Sequence, residues 1–114
     1  NICVQVNKDD ETTKTGVSLG ELPALVAAVN QLPRLRLRGL MAIPMATDDP
    51  AQQRAAFAKL RSALEQLNAQ GFGLDCLSMG MSGEMEAAIA EGATFVRVGT
   101  DIFGSRSSPV VPAE

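Results

Sequence analysis

The chain has 114 residues, 46% of them hydrophobic and 20% charged, which suits one ordinary globular domain and excludes wholesale disorder. Ten basic and thirteen acidic residues leave a net charge of −3, and with no Trp, no Tyr and four Phe the chain lacks the basic surface and stacking rings of a nucleic-acid binder. There is no His, which closes Ser-His-Asp and Cys-His catalysis and His-based metal sites to this chain by itself. No apolar run approaches the roughly 20 residues of a membrane span, so no membrane partner is expected. Two cysteines, Cys3 and Cys76, are too few for a disulfide framework or a zinc site. Both fall in apolar runs, where a free Cys behaves as a small buried hydrophobe, and reduced thiols fit a cytoplasmic location.

Ile2, Cys3, Val4, Gln5 and Val6 read as a strand that starts with no lead-in, so upstream sequence is expected. A polar loop over residues 7–16 follows. Ser18 stands three residues before Glu21, the spacing of a capping box. Leu22, Leu25, Val26 and Val29 then form one apolar stripe of a helix that ends before Pro33. A second strand spans residues 37–43, with Arg38 and Gly39 interrupting its apolar character, and Pro44 ends it. Asp48 or Asp49 caps the next helix with Pro50 as its first residue. Phe57, Leu60, Leu64 and Leu67 supply its apolar face, and Gly71 stops it.

A third strand over residues 76–79 leads into Gly80-Met81-Ser82-Gly83 and a short helix from Glu84 to about Glu91. A fourth over residues 95–98 leads into Gly99-Thr100 and one helical turn around Ile102 and Phe103. Residues 105–114, polar and then Pro-rich, read as a flexible tail. Four strands, each followed by helix or turn and none by a hairpin signal, predict an α/β fold of parallel β/α units.

In such folds the ligand lies at the carboxyl ends of the strands. Ser82 is placed at a helix N-cap between glycines, where free N–H groups and the helix dipole favour an anion. Gly99 and Thr100 offer further amides and a hydroxyl on the next unit, so the two loops together read as a phosphate cup. Taken singly, Ser82 is equally an ordinary cap and Gly99 a tight turn. Arg97 lies between Val96 and Val98 and so points away from both. If the valines pack on the helices, Arg97 faces the ligand; the other reading is an edge-strand arginine in solvent.

Three motifs then agree in order and spacing. They are Leu35-Arg36-Leu37-Arg38-Gly39-Leu40-Met41-Ala42-Ile43-Pro44, the run Leu77-Ser78-Met79-Gly80-Met81-Ser82 with Met85-Glu86-Ala87-Ala88-Ile89, and Val96-Arg97-Val98-Gly99-Thr100-Asp101-Ile102-Phe103-Gly104. They resemble the pyridoxal phosphate homeostasis family, the YggS/PROSC-like proteins, similar in fold to the N-terminal barrel of alanine racemases. The resemblance implies a (β/α)₈ barrel that holds pyridoxal 5'-phosphate (PLP) as a Schiff base on a lysine. It also implies a carrier or regulator of the vitamin B6 cofactor pool rather than an established catalyst. Ser82 and the amides of Gly99 and Thr100 would hold the phosphate and Arg97 would face the pyridine nitrogen. Met41 and Ser78 are looser candidates for the cofactor's surroundings.

A whole barrel needs eight strands and about 250 residues. Residues 1–104 are therefore expected to be its C-terminal half, a TIM-type fold cut at the middle. The family's cofactor lysine lies near the end of the first strand of the other half, and none of Lys8, Lys14 or Lys59 matches it. The expected partners are the N-terminal half of the same barrel, or a second copy, closing the open edges of the first and fourth strands. The two cysteines, one strand apart from contact at roughly 9–10 Å, are too far apart to be bridged. The alternatives are a racemase-like PLP enzyme, which needs a second base on the opposite face of the cofactor, and a β/α domain for some other phosphorylated ligand.

Overall fold

The computed structural model describes residues 1–7, 16–44 and 47–104. Lys8, Lys14 and the expected tail at 105–114 lie outside the described residues. The elements are β1 (Ile2–Gln5), α1 (Leu22–Asn30), β2 (Leu37–Met41), α2 (Pro50–Ala69), β3 (Cys76–Met81), a single 3₁₀ turn (Ser82–Glu84), α3 (Met85–Ala90), β4 (Phe95–Arg97) and α4 (Thr100–Phe103). All three strand pairings are parallel, in the order β1-β2-β3-β4. The β/α alternation expected from the sequence is thus present, with β1 and β4 at the edges.

Local chemistry explains where the helices start. In α2, Asp49 is the N-cap, its carboxylate accepts the Ala51 N–H at 3.0 Å, and Pro50 occupies the first turn. Its missing N–H costs nothing there. Ahead of α1 the capping box is only half formed. Ser18 Oγ accepts the Glu21 N–H at 3.3 Å, but the Ser18 hydroxyl donates to the Glu21 carboxylate at 2.9 Å, so residues 18–21 make a turn and the helix opens at Leu22.

One face of the sheet carries the core. Val4, Leu40, Leu77 and Met79 point to the helices and meet Val26, Phe57, Leu60 and Ala88, all buried. At about 25 cal/mol per Å² of apolar surface removed from water, this layer is the main stabilising element. α3 is further tied to α2 by Glu91, a buried carboxylate that takes Arg54 at 2.9 Å and Arg61 at 3.3 Å. Burying one charge this deeply is tolerable because two guanidiniums face it.

Among the described residues, no helix layer covers the opposite face. Cys3, Gln5, Met41, Ser78, Phe95 and Arg97 lie there, all half-buried or exposed, with Phe95 57% accessible. This corrects the expectation that both thiols are buried: Cys76 is, and Cys3 is exposed. Strand alternation puts Cys3 on the face opposite Val4, which the helices do not cover. Cys3, Gly39 and Cys76 share one register row, so the cysteines stand one strand apart, as expected, and both are free thiols.

At the amino ends of β2 and β3, Arg38 makes a forked pair with Asp75, with Nε at 2.9 Å and Nη2 at 2.7 Å from the two carboxylate oxygens. Those hydrogen bonds bring the Asp75 carboxyl down from 3.8 to about 2. The folded value lies below the unfolded one, so the pair's stabilisation is complete above about pH 4 and is lost as pH falls through about 2. Asp75→Asn is therefore expected to be less stable than the native chain at neutral pH, with the gap closing between about pH 4 and 2. Urea midpoints across a pH series check this, and a gap that survives at the acid end would contradict it.

Candidate functional site at the carboxyl ends of the strands

β3 and β4 deliver their loops to the same edge. β3 runs to Met81, beyond the expected end at Met79, with an irregular register between Ser78 and Met81 where Gly80, buried, holds φ +102°. Ser82 is consequently not the N-cap of a helix, as its sequence context suggests. It opens the 3₁₀ turn, and α3 starts behind Glu84 with no side-chain cap. The Ser82 hydroxyl is turned instead to the neighbouring loop, where its Oγ accepts the Asp101 N–H at 3.1 Å. That bond joins the end of β3 to the first turn of α4.

Gly99 is the N-cap of α4 and Thr100 its first residue. The Gly99 carbonyl accepts the N–H groups of Ile102 at 3.0 Å and Phe103 at 2.8 Å. The N–H groups of Gly99 and Thr100 have no partner among the described residues. A Cβ built on Gly83 or Gly99 would meet nothing within 4 Å, so the space around both backbones is open. Ser82, Gly99 and Thr100 are thus brought to one edge, as two convergent sets of polar groups.

Arg97 takes the orientation expected from alternation. Val96 packs against the core, and Arg97 is exposed on the helix-free face, in register with Met81. Met41 and Ser78 are register partners on that face, and Ser78 is in turn opposite Phe95. These three candidates therefore line the sheet surface below the edge that holds the other three. Ser82 and Gly83 also line a cleft of about 520 Å³, together with Arg54 and the acidic residues Asp48, Glu84, Glu86 and Asp101. Arg54 in that cleft is paired with Glu91 and faces four carboxylates, so the cleft favours an anion less than the helix-free side, which offers the Arg97 guanidinium.

Two participants escaped the sequence reading. Asp101 enters through its backbone N–H, a role that no residue type signals. Gln53, in the first turns of α2, donates from Nε2 to the Thr47 carbonyl at 2.7 Å and lies 3.5 Å from the Gly83 carbonyl. Its position near the Asp49-Pro50 helix start was legible, but its reach across two loops was not. Among the described residues, no group of three or more His, Cys, Asp or Glu side chains converges to hold a metal ion. No helix among them is long and apolar enough to cross a membrane.

Parallel β/α units with polar groups gathered at the strand carboxyl ends define a class, and comparison with known proteins identifies which. The family model for the alanine racemase N-terminal domain matches residues 1–107. A pyridoxal phosphate homeostasis protein of Pseudomonas aeruginosa is 59% identical over 106 residues, covering 93% of this chain and 45% of that protein. The protein of the same name from Escherichia coli is 49% identical over 106 residues, with the same coverage of each. Among solved structures, PipY of Synechococcus elongatus without PLP superposes with a TM-score of 0.79 at 38% identity, over 90% of this chain and 48% of that one. The structure of PipY with PLP bound gives 0.78. The chain belongs to the pyridoxal phosphate homeostasis family, the YggS/PROSC-like proteins built on the alanine racemase N-terminal domain. It spans about 45% of the length of these two curated relatives.

Proposed function

We propose that this chain is the C-terminal, phosphate-binding half of a PLP-binding (β/α)₈ barrel that serves vitamin B6 homeostasis in the cytoplasm as a carrier or regulator of the cofactor. The observation that carries this reading is the Ser82–Asp101 bond, which fuses the ends of β3 and β4 into one polar edge beside Arg97. The edge fits the phosphate end of PLP: a hydroxyl, two amides without partners among the described residues, and open space over Gly83 and Gly99. Met41 and Ser78, on the same sheet face, would border the cofactor. The PLP-bound PipY structure, 38% identical over nearly the whole chain, supports the choice of PLP over another phosphorylated ligand.

When bound, PLP supplies an electron-accepting ring and a reactive aldehyde. Arg97 would face the ring nitrogen. A guanidinium does not give up its proton, so it holds that nitrogen as an acceptor and leaves the ring a weak electron sink. Storage and delivery suit such a ring better than turnover, which is why the carrier reading is preferred to a racemase-like one. The lysine that bonds the aldehyde belongs to the N-terminal half. Lys59, the lysine within the described residues, is exposed on α2, on the helix side of the sheet.

That N-terminal half is also the proposed partner. The helix-free face with Phe95 and Arg97, the positions of β1 and β4 at the sheet edges and the 45% span relative to the curated relatives all favour a complement that supplies the remaining strands.

The test uses the full-length protein containing this chain. Ser82→Ala combined with Gly99→Val is expected to weaken PLP binding by about tenfold or more, the loss of at least one charge-assisted hydrogen bond of about 1.5–3 kcal/mol, and to leave unphosphorylated pyridoxal unaffected. Normal PLP binding would place the phosphate elsewhere. Arg97→Ala is expected to change the absorption spectrum of the bound cofactor, and an unchanged spectrum would refute its ring-nitrogen role.

A further inference from the structure

We infer that Gln53 is a positioning residue for the phosphate-binding edge, acting through Gly83 and Ser82; the inference rests on the assignment of that edge to phosphate. The reasoning begins with how firmly Gln53 is held. Asp49 caps α2, the Asp49 N–H donates to Thr47 Oγ1 at 3.2 Å, and Thr47 Oγ1 donates to Gln52 Oε1 at 2.8 Å. These bonds lock the first turn of α2 to the end of the β2–α2 loop. From that fixed turn, the half-buried carboxamide of Gln53 spans the gap between loops.

One of its contacts is strong, to the Thr47 carbonyl at 2.7 Å; the other, to the Gly83 carbonyl at 3.5 Å, is long and weaker. Gly83 follows Ser82 directly, and Ser82 Oγ receives the Asp101 N–H. A continuous path therefore runs from the loop after β2, through Gln53 and the loop after β3, to the first turn after β4. Ser82 has no cap role in its own helix to fix it, and Gly83 has no side chain to pack. The carboxamide reaches this loop from a rigid helix. Its NH₂ donates to both carbonyls at once, which an aliphatic side chain of the same length cannot do.

The full-length protein tests this through two variants. Gln53→Met keeps the length and removes the donors; Gln53→Asn keeps the donors on a stem too short to span both loops. For each, equilibrium dialysis gives the ratio of dissociation constants for pyridoxal and PLP, and NMR gives the exchange rate of the Asp101 amide. Both variants are expected to lower the ratio about fivefold, with pyridoxal binding unchanged, the size expected for one neutral hydrogen bond. Exchange of the Asp101 amide is expected to rise. A merely structural role would weaken both ligands alike and leave the Asp101 amide in step with the rest of α4. An unchanged ratio in both Gln53 variants, beside a reduced ratio in Ser82→Ala, overturns the role of Gln53 alone. An unchanged ratio in Ser82→Ala overturns the phosphate assignment and the inference with it. Should Gln53→Met fail to fold, Gln53→Asn decides by the same two readouts.

Discussion

Gly39→Ala is expected to cost about 3 kcal/mol or more of folding stability, the upper range for overpacking a filled interior. Gly39 sits at the centre of the sheet, in register with Cys3 of β1 on one side and Cys76 of β3 on the other. A Cβ there would overlap the Cys76 carbonyl oxygen and stand 2.8 Å from the Cys76 Cβ. Backbone on a paired strand cannot step aside as the tip of a flexible side chain can. Relief requires β2 and β3 to part, next to the fully buried Leu40 and Met79. Urea unfolding reads the loss as a lower midpoint, with Gly20→Ala as the control because a Cβ at Gly20 meets nothing within 4 Å. Equal midpoints for the two variants would contradict the close approach of β2 and β3.

Gly80→Ala is expected to cost about 2–5 kcal/mol, from two sources that act together. The position holds φ +102°, which an L side chain adopts only under strain, and the new Cβ would lie 2.5 Å from the Cβ of Ala88, itself fully buried on α3. Unlike Gly39, this site stands two residues before Ser82. Pushing α3 outward, or returning Gly80 to an ordinary φ, moves the hydroxyl away from the Asp101 N–H. The variant should therefore lose PLP discrimination even in the fraction that remains folded, which dialysis with PLP and pyridoxal measures. Loss of stability with full discrimination would show that the turn at Gly80 does not set the position of Ser82.

The parts of the fold that were legible in the sequence rest on local rules. Asp49-Pro50 and the spacing of Phe57, Leu60, Leu64 and Leu67 marked α2 from its start to its buried face, because capping and periodicity act within a few residues. The alternation of Val96, Arg97 and Val98 puts Arg97 on the face opposite the valines, and the packing of Val96 on the core makes that the face away from the helices. The parallel sheet followed from helices standing between strands.

What was not legible depends on tertiary placement. Ser82 looks like a cap because a hydroxyl before a short helix commonly is one. In the structure β3 runs on to Met81, and that hydroxyl is engaged by the next loop instead. Cys3 looks buried because its neighbours are apolar, yet burial depends on what covers its face, and the helices cover the other one. Gln53 and the Asp101 N–H act across loops far apart in sequence, and no residue pattern encodes that reach.

The most direct test of the central claim is a crystal structure of the full-length protein with PLP bound. The phosphate should accept hydrogen bonds from the Ser82 hydroxyl and from the N–H groups of Gly99 and Thr100, with Arg97 facing the ring nitrogen. A phosphate held at the ends of other strands, with Ser82 still engaged only to Asp101, would contradict the assignment of this chain as the phosphate-binding half.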